Sequence, residues 1–138
     1  MRITLESDYA LRIIASLAEE KSVIDAKTLS DKTLVTLRFT LKILNKLVRN
    51  GLVSSFKGVK GGYKLKVSAD EITLKQVIEL IDGPIIIARC LEGSEECLLN
   101  PDKTNCIFHH IFNAVSIDVA RKFNNITIAD ILSKNYSI

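Results

Sequence analysis

The sequence predicts a mainly α-helical fold with a small β-hairpin wing, a winged helix-turn-helix followed by a long C-terminal dimerisation helix. Three observations carry that reading. Three amphipathic segments fill the first fifty residues and stop at Asn50-Gly51. A glycine- and lysine-rich connection, Lys57-Gly58-Val59-Lys60-Gly61-Gly62, then joins two short strand-like runs. Further on, Phe108, Ile111, Phe112, Val115, Val119 and Phe123 recur at helical spacing over roughly five turns.

Each element has a local reason. Ala10, Ile13, Ile14 and Leu17 make one face of a first helix from about Thr4 to Glu20, and Glu6 and Asp8 suit its positive N-terminal end. Asp25 is an N-cap for a short helix through Lys32. A turn at Thr33 to Val35 leads to Thr36, the N-cap of a third helix whose apolar stripe is read as Leu37, Leu41, Leu44, Leu47 and Val48. Asn50-Gly51 closes it in the left-handed way. Leu52 to Phe56 and Tyr63 to Val67 are the two strands. Thr73 caps a helix from Leu74 to Ile81, stopped by Asp82-Gly83-Pro84. The long helix spans Asn105 to Asn124, and a last short one runs from Thr127 to about Ser133. That remnant is too small to cover the long apolar stripe, so a second subunit is the expected cover, with Ile111, Val115 and Val119 at the dimer contact. The organisation expected is a DNA-binding unit, residues 1–83, and a cysteine loop with dimerisation helix, residues 84–138.

Composition narrows the function classes. Apolar residues make up 47% and charged residues 25%, enough for a core and against disorder. The N-terminus has no apolar signal region, because Glu6, Asp8 and Arg12 interrupt it. The longest purely apolar run, Pro84 to Ala88, is far short of a membrane span. An odd set of three cysteines argues against a disulfide framework and for the cytoplasm. No Ser/His/Asp or Cys/His pairing stands out and the glycine-rich loop lacks a phosphate-loop ending, so an enzyme is not expected.

The net charge of +3 conceals an asymmetry: Lys32 to Ala69 holds nine Lys and Arg and no acidic residue. From Ala88 onward there are five basic and six acidic residues. On a helix-turn-helix with a cationic wing, such a block is a footprint for double-stranded DNA. The expected interface is Thr36, Arg38, Phe39, Thr40 and Lys42 on the third helix with Lys57, Lys60, Gly61 and Tyr63 on the wing. Arg38 facing a guanine is the expected specific contact; the lysines position the protein through phosphates.

All three cysteines, Cys90, Cys97 and Cys106, and both histidines, His109 and His110, lie between Arg89 and His110. Thiols spaced through a polar loop suit a soft metal or an iron–sulfur cluster better than a core. With only three thiols a fourth ligand is needed, and His109 follows Cys106 by one helical turn. Zinc held by three cysteines and a histidine fits the same residues.

Thr36 to Leu65 carries Asn50-Gly51-Leu52-Val53-Ser54-Ser55 into Lys57-Gly58-x-x-Gly61-Gly62-Tyr63-x-Leu65. With Met1-Arg2-Ile3-Thr4, Tyr9-Ala10-Leu11-Arg12, the three-cysteine loop and Asn124-Asn125-Ile126-Thr127, this resembles the Rrf-two family of bacterial winged-helix transcriptional regulators over nearly the whole chain. The resemblance implies a homodimer whose long helices cross, bound to a pseudo-palindromic operator. It implies a two-iron or four-iron cluster on the three loop cysteines. The fourth ligand implied is a histidine three residues after the last cysteine, matched by His109, or a carboxylate on the first helix of the other subunit, matched by Asp8. This chain departs from the family pattern in three places. Its cysteines are spaced more widely, Lys57 stands where an arginine usually enters the minor groove, and Leu41 takes a position that is acidic in some members. The function expected is operator binding gated by the cluster. The alternatives are a cluster-free thiol-responsive or zinc-binding regulator of the same fold, and a small metal or cluster protein acting through protein partners.

Overall fold

The computed structural model describes residues 2–93, 97 and 105–135. In chain order it has α1 (Leu5–Glu19), α2 (Ala26–Thr33), α3 (Leu37–Arg49), β1 (Val53–Phe56), β2 (Gly62–Leu65), α4 (Leu74–Asp82), a 3₁₀ turn (Arg89–Leu91), α5 (Ile107–Asn124) and α6 (Ile128–Ser133). The architecture is mostly helical with one two-stranded antiparallel hairpin, as a winged helix requires.

Five of the helices begin the same way. The side chains of Thr4, Asp25, Thr36, Thr73 and Thr127 accept the backbone N–H of the residue three further on, each cap contributing about 1 kcal/mol. Between α2 and α3, Leu34 takes a left-handed backbone with φ 56°. That costs about 1–2 kcal/mol for a residue with a Cβ, and the turn is held by its buried neighbours, Thr33 and Val35. Gly51 ends α3 with φ +76°, as the Asn-Gly pair predicts.

The core is built by Ala10, Ile13, Ile14 and Leu17 of α1, Leu29 of α2, Ile43, Leu44 and Leu47 of α3, and Leu52, Val53, Ile72, Val77 and Ile128. Full burial of each larger aliphatic side chain contributes roughly 1.5–3 kcal/mol. The stripe expected on α3 is corrected here. Leu37 and Leu41 are exposed at 40% and 39%, while Thr40 and Ile43 take the buried positions. The helix is rotated from the leucine reading because Thr40 can satisfy its hydroxyl internally, donating to the Val35 carbonyl at 3.4 Å.

The hairpin is tied to the head by more than its own pairing. Tyr63 and Ile24 exchange backbone hydrogen bonds at 2.8 and 3.0 Å, and a Cβ on Gly62 would lie 2.4 Å from the Ile24 carbonyl oxygen. Only glycine permits that approach.

The end of the chain, beyond the boundary expected at residue 83, packs on the head. After α5 the backbone returns to the head: Thr73 pairs with Thr127, Ile128 N–H donates to the Ile72 carbonyl, and Ile128 is 1% exposed in the common core. The capping box at Thr127 and Asp130 starts α6 on α1 rather than on α5. One other hydrogen bond holds α5 near its middle. Ser116 is buried, accepts Ile87 N–H at 3.1 Å and donates to the Phe112 carbonyl at 2.8 Å. Most of the helix is open: Ile111 and Val115 are 49% and 42% exposed, Phe108 and Ile117 are exposed too, and Val119 is half-buried.

Candidate nucleic-acid interface and cysteine loop

The interface is organised by α3, whose charged side faces away from the core. Arg38, Lys42, Asn45 and Arg49 are all exposed and recur at helical spacing, so they line one outward strip. Thr36 is also exposed, but its hydroxyl is engaged as the cap, accepting Phe39 N–H at 3.4 Å. Thr40 is fully buried and leaves the expected reading surface; its position on the core face, not its residue type, removes it. Asn45 was not singled out from the sequence. An amide at the third place of an Arg-x-x-x-Lys-x-x-Asn spacing is the signal that would have found it, since Asn can pair bidentately with adenine.

The wing supplies a second basic surface. Lys57 and Lys60 are exposed in the connection, and Lys64 and Lys66 are exposed in alternation with the half-buried Tyr63, Leu65 and Val67. Tyr63 packs against the core, so it anchors the wing. Gly61 shapes the turn, where a Cβ would lie 2.4 Å from the Phe56 carbonyl oxygen.

The acid-free block is partly neutralised through space. Lys32 pairs with Glu20, and Glu6 on α1 holds both Lys42 at 2.7 Å and Lys46 at 2.6 Å. Hydrogen bonds from Lys42 and then Lys46 hold the Glu6 carboxyl below its ordinary range, against some opposing burial. This fork fixes the roll of α3 on α1. Six cations of the block, Arg38, Arg49, Lys57, Lys60, Lys64 and Lys66, have no acidic partner among the described residues.

A pH dependence follows. Because the folded pKa of Glu6 lies below its reference of 4.5, the fork's contribution is complete above that value and is lost as pH falls through the folded pKa. Glu6→Gln is expected to cost about 1 kcal/mol near neutrality, since the lysines are partly solvated. That difference from wild type should shrink in thermal melts as the pH falls below 4.5 and through the lowered folded pKa. A penalty that persists unchanged there would mean that the pair contributes through packing and not charge.

A second network lies beside the fork. Asp8 is ion-paired to Arg12 at 2.7 Å, the Arg12 guanidinium sits 5.7 Å from the Tyr9 ring centroid, and Tyr9 meets Phe39 edge-on at 5.9 Å. Lys42 Nζ lies 5.9 Å from the Phe39 centroid. Asp8 therefore has a local partner on its own helix.

The cysteines are free and half-buried. Cys90 is in the 3₁₀ turn, Cys106 occupies the N-cap position of α5 without making a side-chain cap bond, and His109 stands in the first turn of that helix. His109 Nδ1 is buried and has no hydrogen-bond partner. Three free thiols and an unpartnered imidazole nitrogen suit an iron–sulfur or zinc centre by donor chemistry. The backbone does not gather them: among the described residues no group of three or more His, Cys, Asp or Glu is close enough to hold a metal ion. The glutamates Glu95 and Glu96 and the stretch 98–104 lie outside the described residues. No helix among the described residues is long and apolar enough to cross a membrane.

Comparison with known proteins agrees with this geometry. The Rrf2 family model, described as an iron-dependent transcriptional regulator, matches residues 3–134. The HTH-type transcriptional regulator IscR of Vibrio vulnificus is 28% identical over 137 residues, spanning 98% of this chain and 79% of that protein. The structure of CymR, described as the global cysteine regulator of B. subtilis, superposes with a TM-score of 0.72 at 26% identity, covering 97% of this chain and 98% of that one. The fold of T. potens IscR is shared with a TM-score of 0.76 at 17% identity, over 99% of this chain and 89% of that one. These relatives are regulators and not enzymes. Its winged-helix fold and the family match over residues 3–134 together establish that the chain belongs to the Rrf2 family of transcriptional regulators.

Proposed function

We propose that this chain is a homodimeric regulator that binds a pseudo-palindromic DNA duplex, and that the Cys90–His109 segment controls it by holding an iron–sulfur cluster. The observation that carries the DNA reading is the outward strip Arg38, Lys42, Asn45 and Arg49 beside an acid-free wing. In a winged helix such a strip enters the major groove, while the wing lies along the backbone or minor groove. Arg38 can meet guanine and Asn45 adenine. Lys57, Lys60, Lys64 and Lys66 reach phosphates and set the register.

Cys90, Cys97, Cys106 and His109 are the residues that would hold the cluster, and Asp8 is the alternative fourth ligand. A bound cluster supplies a charged, redox-sensitive group at the head of α5. The unpartnered Nδ1 of His109 favours His109, and the ion pair to Arg12 gives Asp8 a role without metal. A second reading, a cluster-free thiol switch, is favoured by the three free thiols, which the described backbone does not gather, and by the fold shared with CymR.

One set of proteins separates these readings. Anaerobically reconstituted wild type, Cys97→Ala, His109→Ala and Asp8→Ala are compared for iron content, visible absorbance and duplex affinity. The cluster reading expects colour in wild type, none in Cys97→Ala, a weakened or shifted spectrum in His109→Ala and an unchanged one in Asp8→Ala. Bleaching by Asp8→Ala alone would move the fourth ligand to the first helix. Wild type that never takes up iron but changes DNA affinity on thiol oxidation would establish the switch instead.

A further inference from the structure

We propose that Phe39 reads the C5-methyl group of a thymine in each half-site, and that Tyr9 is the positioning residue that holds its ring ready to do so. The inference rests on the DNA-binding reading above and gives it a base-specific contact that no cation can supply.

Phe39 is the third residue of α3 and is 42% exposed, on the flank of the strip that carries Arg38 and Lys42. An isolated exposed aromatic is ordinary. This one is not free to reorient. Its ring meets the edge of Tyr9 at a centroid distance of 5.9 Å and an interplanar angle of 67°. On the other side Lys42 Nζ stands 5.9 Å from its centroid, and that lysine is pinned by Glu6 at 2.7 Å. Tyr9 is itself braced by the Arg12 guanidinium, which Asp8 holds at 2.7 Å. The chain Asp8–Arg12–Tyr9–Phe39–Lys42–Glu6 therefore fixes one apolar ring between Tyr9 and Lys42 at the start of the helix that faces the groove. Fixing the ring before binding removes the ordering cost of the contact.

The chemistry of the groove decides what such a ring can meet. Arg38, Phe39 and Lys42 line one mostly apolar recess. In the major groove every base edge presents donors or acceptors, and a phenyl ring pressed against those leaves them unpaired. The one apolar group displayed there is the thymine methyl. Of the two flanking cations, Arg38 serves acceptors and Lys42 is held by Glu6, so neither competes for it.

The test uses the full-length protein and a duplex enriched by it from a random-sequence pool. Each thymine of the enriched duplex is replaced in turn by deoxyuridine, which deletes the methyl and nothing else on the groove edge. At one symmetric pair of positions wild type should lose about fourfold per half-site, the worth of one buried methyl, and roughly fifteenfold when both are changed. Phe39→Ala, an exposed change that spares the core, should abolish discrimination at that pair only. Tyr9→Phe should keep the discrimination, because the edge contact needs no hydroxyl, while Tyr9→Ala should reduce it and leave the salt dependence of binding in place. Equal uracil penalties in wild type and Phe39→Ala at every position, or none in wild type, would overturn the assignment to Phe39. Undiminished discrimination in Tyr9→Ala would overturn the role of Tyr9. Failure to enrich any duplex is a different result: it removes the DNA-binding reading itself, and this contact with it.

Discussion

Raising the salt from 50 to 200 mM is expected to weaken binding to the enriched duplex by about 10³–10⁵-fold. The size follows from how many cations are free to meet phosphates. Of the nine Lys and Arg between Lys32 and Ala69, three are ion-paired to Glu6 or Glu20, which leaves six in each chain without an acidic partner among the described residues. In the proposed dimer two chains would bring about six to ten of these to phosphates, each contact releasing counterions on binding. Lys60→Ala should lower the slope by about one per half-site and weaken all sequences alike, whereas Arg38→Ala should relax the preference at one base pair by roughly 1–3 kcal/mol. Titrations of wild type across that salt range settle it, and an affinity that hardly moves would be incompatible with a phosphate-binding face.

The second large effect concerns α5. Ile111 and Val115 stand open in the single chain, and α6, the only element after α5 among the described residues, packs against α1. A second copy of α5 is the natural cover. Ile111→Asp would then bury a carboxylate without a partner, destabilising the dimer by several kcal/mol. Sedimentation should show the variant as a monomer at concentrations where wild type is a dimer. Monomeric wild type, or a variant dimer of undiminished affinity, would show that this face has another use.

How much of this was legible in the residues differs from element to element. The helices and the hairpin were readable because their ends are chemically marked: Asp25, Thr36 and Thr73 cap as expected, and Gly51 takes the left-handed backbone that the Asn-Gly pair announces. The inward face of α3 was not readable from leucine spacing. A leucine scores as core wherever it stands, yet Leu37 and Leu41 are exposed while Thr40 is buried with its hydroxyl turned to a carbonyl. That choice is made by the neighbouring turn at Val35, which periodicity does not see. The same holds for the fork at Glu6, where residues 36 and 40 positions apart meet only because α1 and α3 cross. On a helix start Glu6 looks like a dipole partner and nothing more. The cysteines illustrate the reverse limit: their residue types name a chemistry, but spacing alone does not bring Cys90, Cys97 and Cys106 to one point.

The return of the chain after α5 fastens one end of that helix, and the Ile87–Ser116 hydrogen bond holds it again near its middle. Its C-terminal end is fastened to the reading head by the Thr73–Thr127 pairing and by Ile128 in the core, whereas its N-terminal end begins at Cys106. An eighteen-residue helix is about 27 Å long. A tilt of only about 5° about the fastened end would carry the other end through roughly 2 Å, a displacement comparable to small helix shifts in known switches. In the proposed dimer, a modest rearrangement at Cys106 would reach the head as a small rotation of α5 and would change the angle between the two recognition helices.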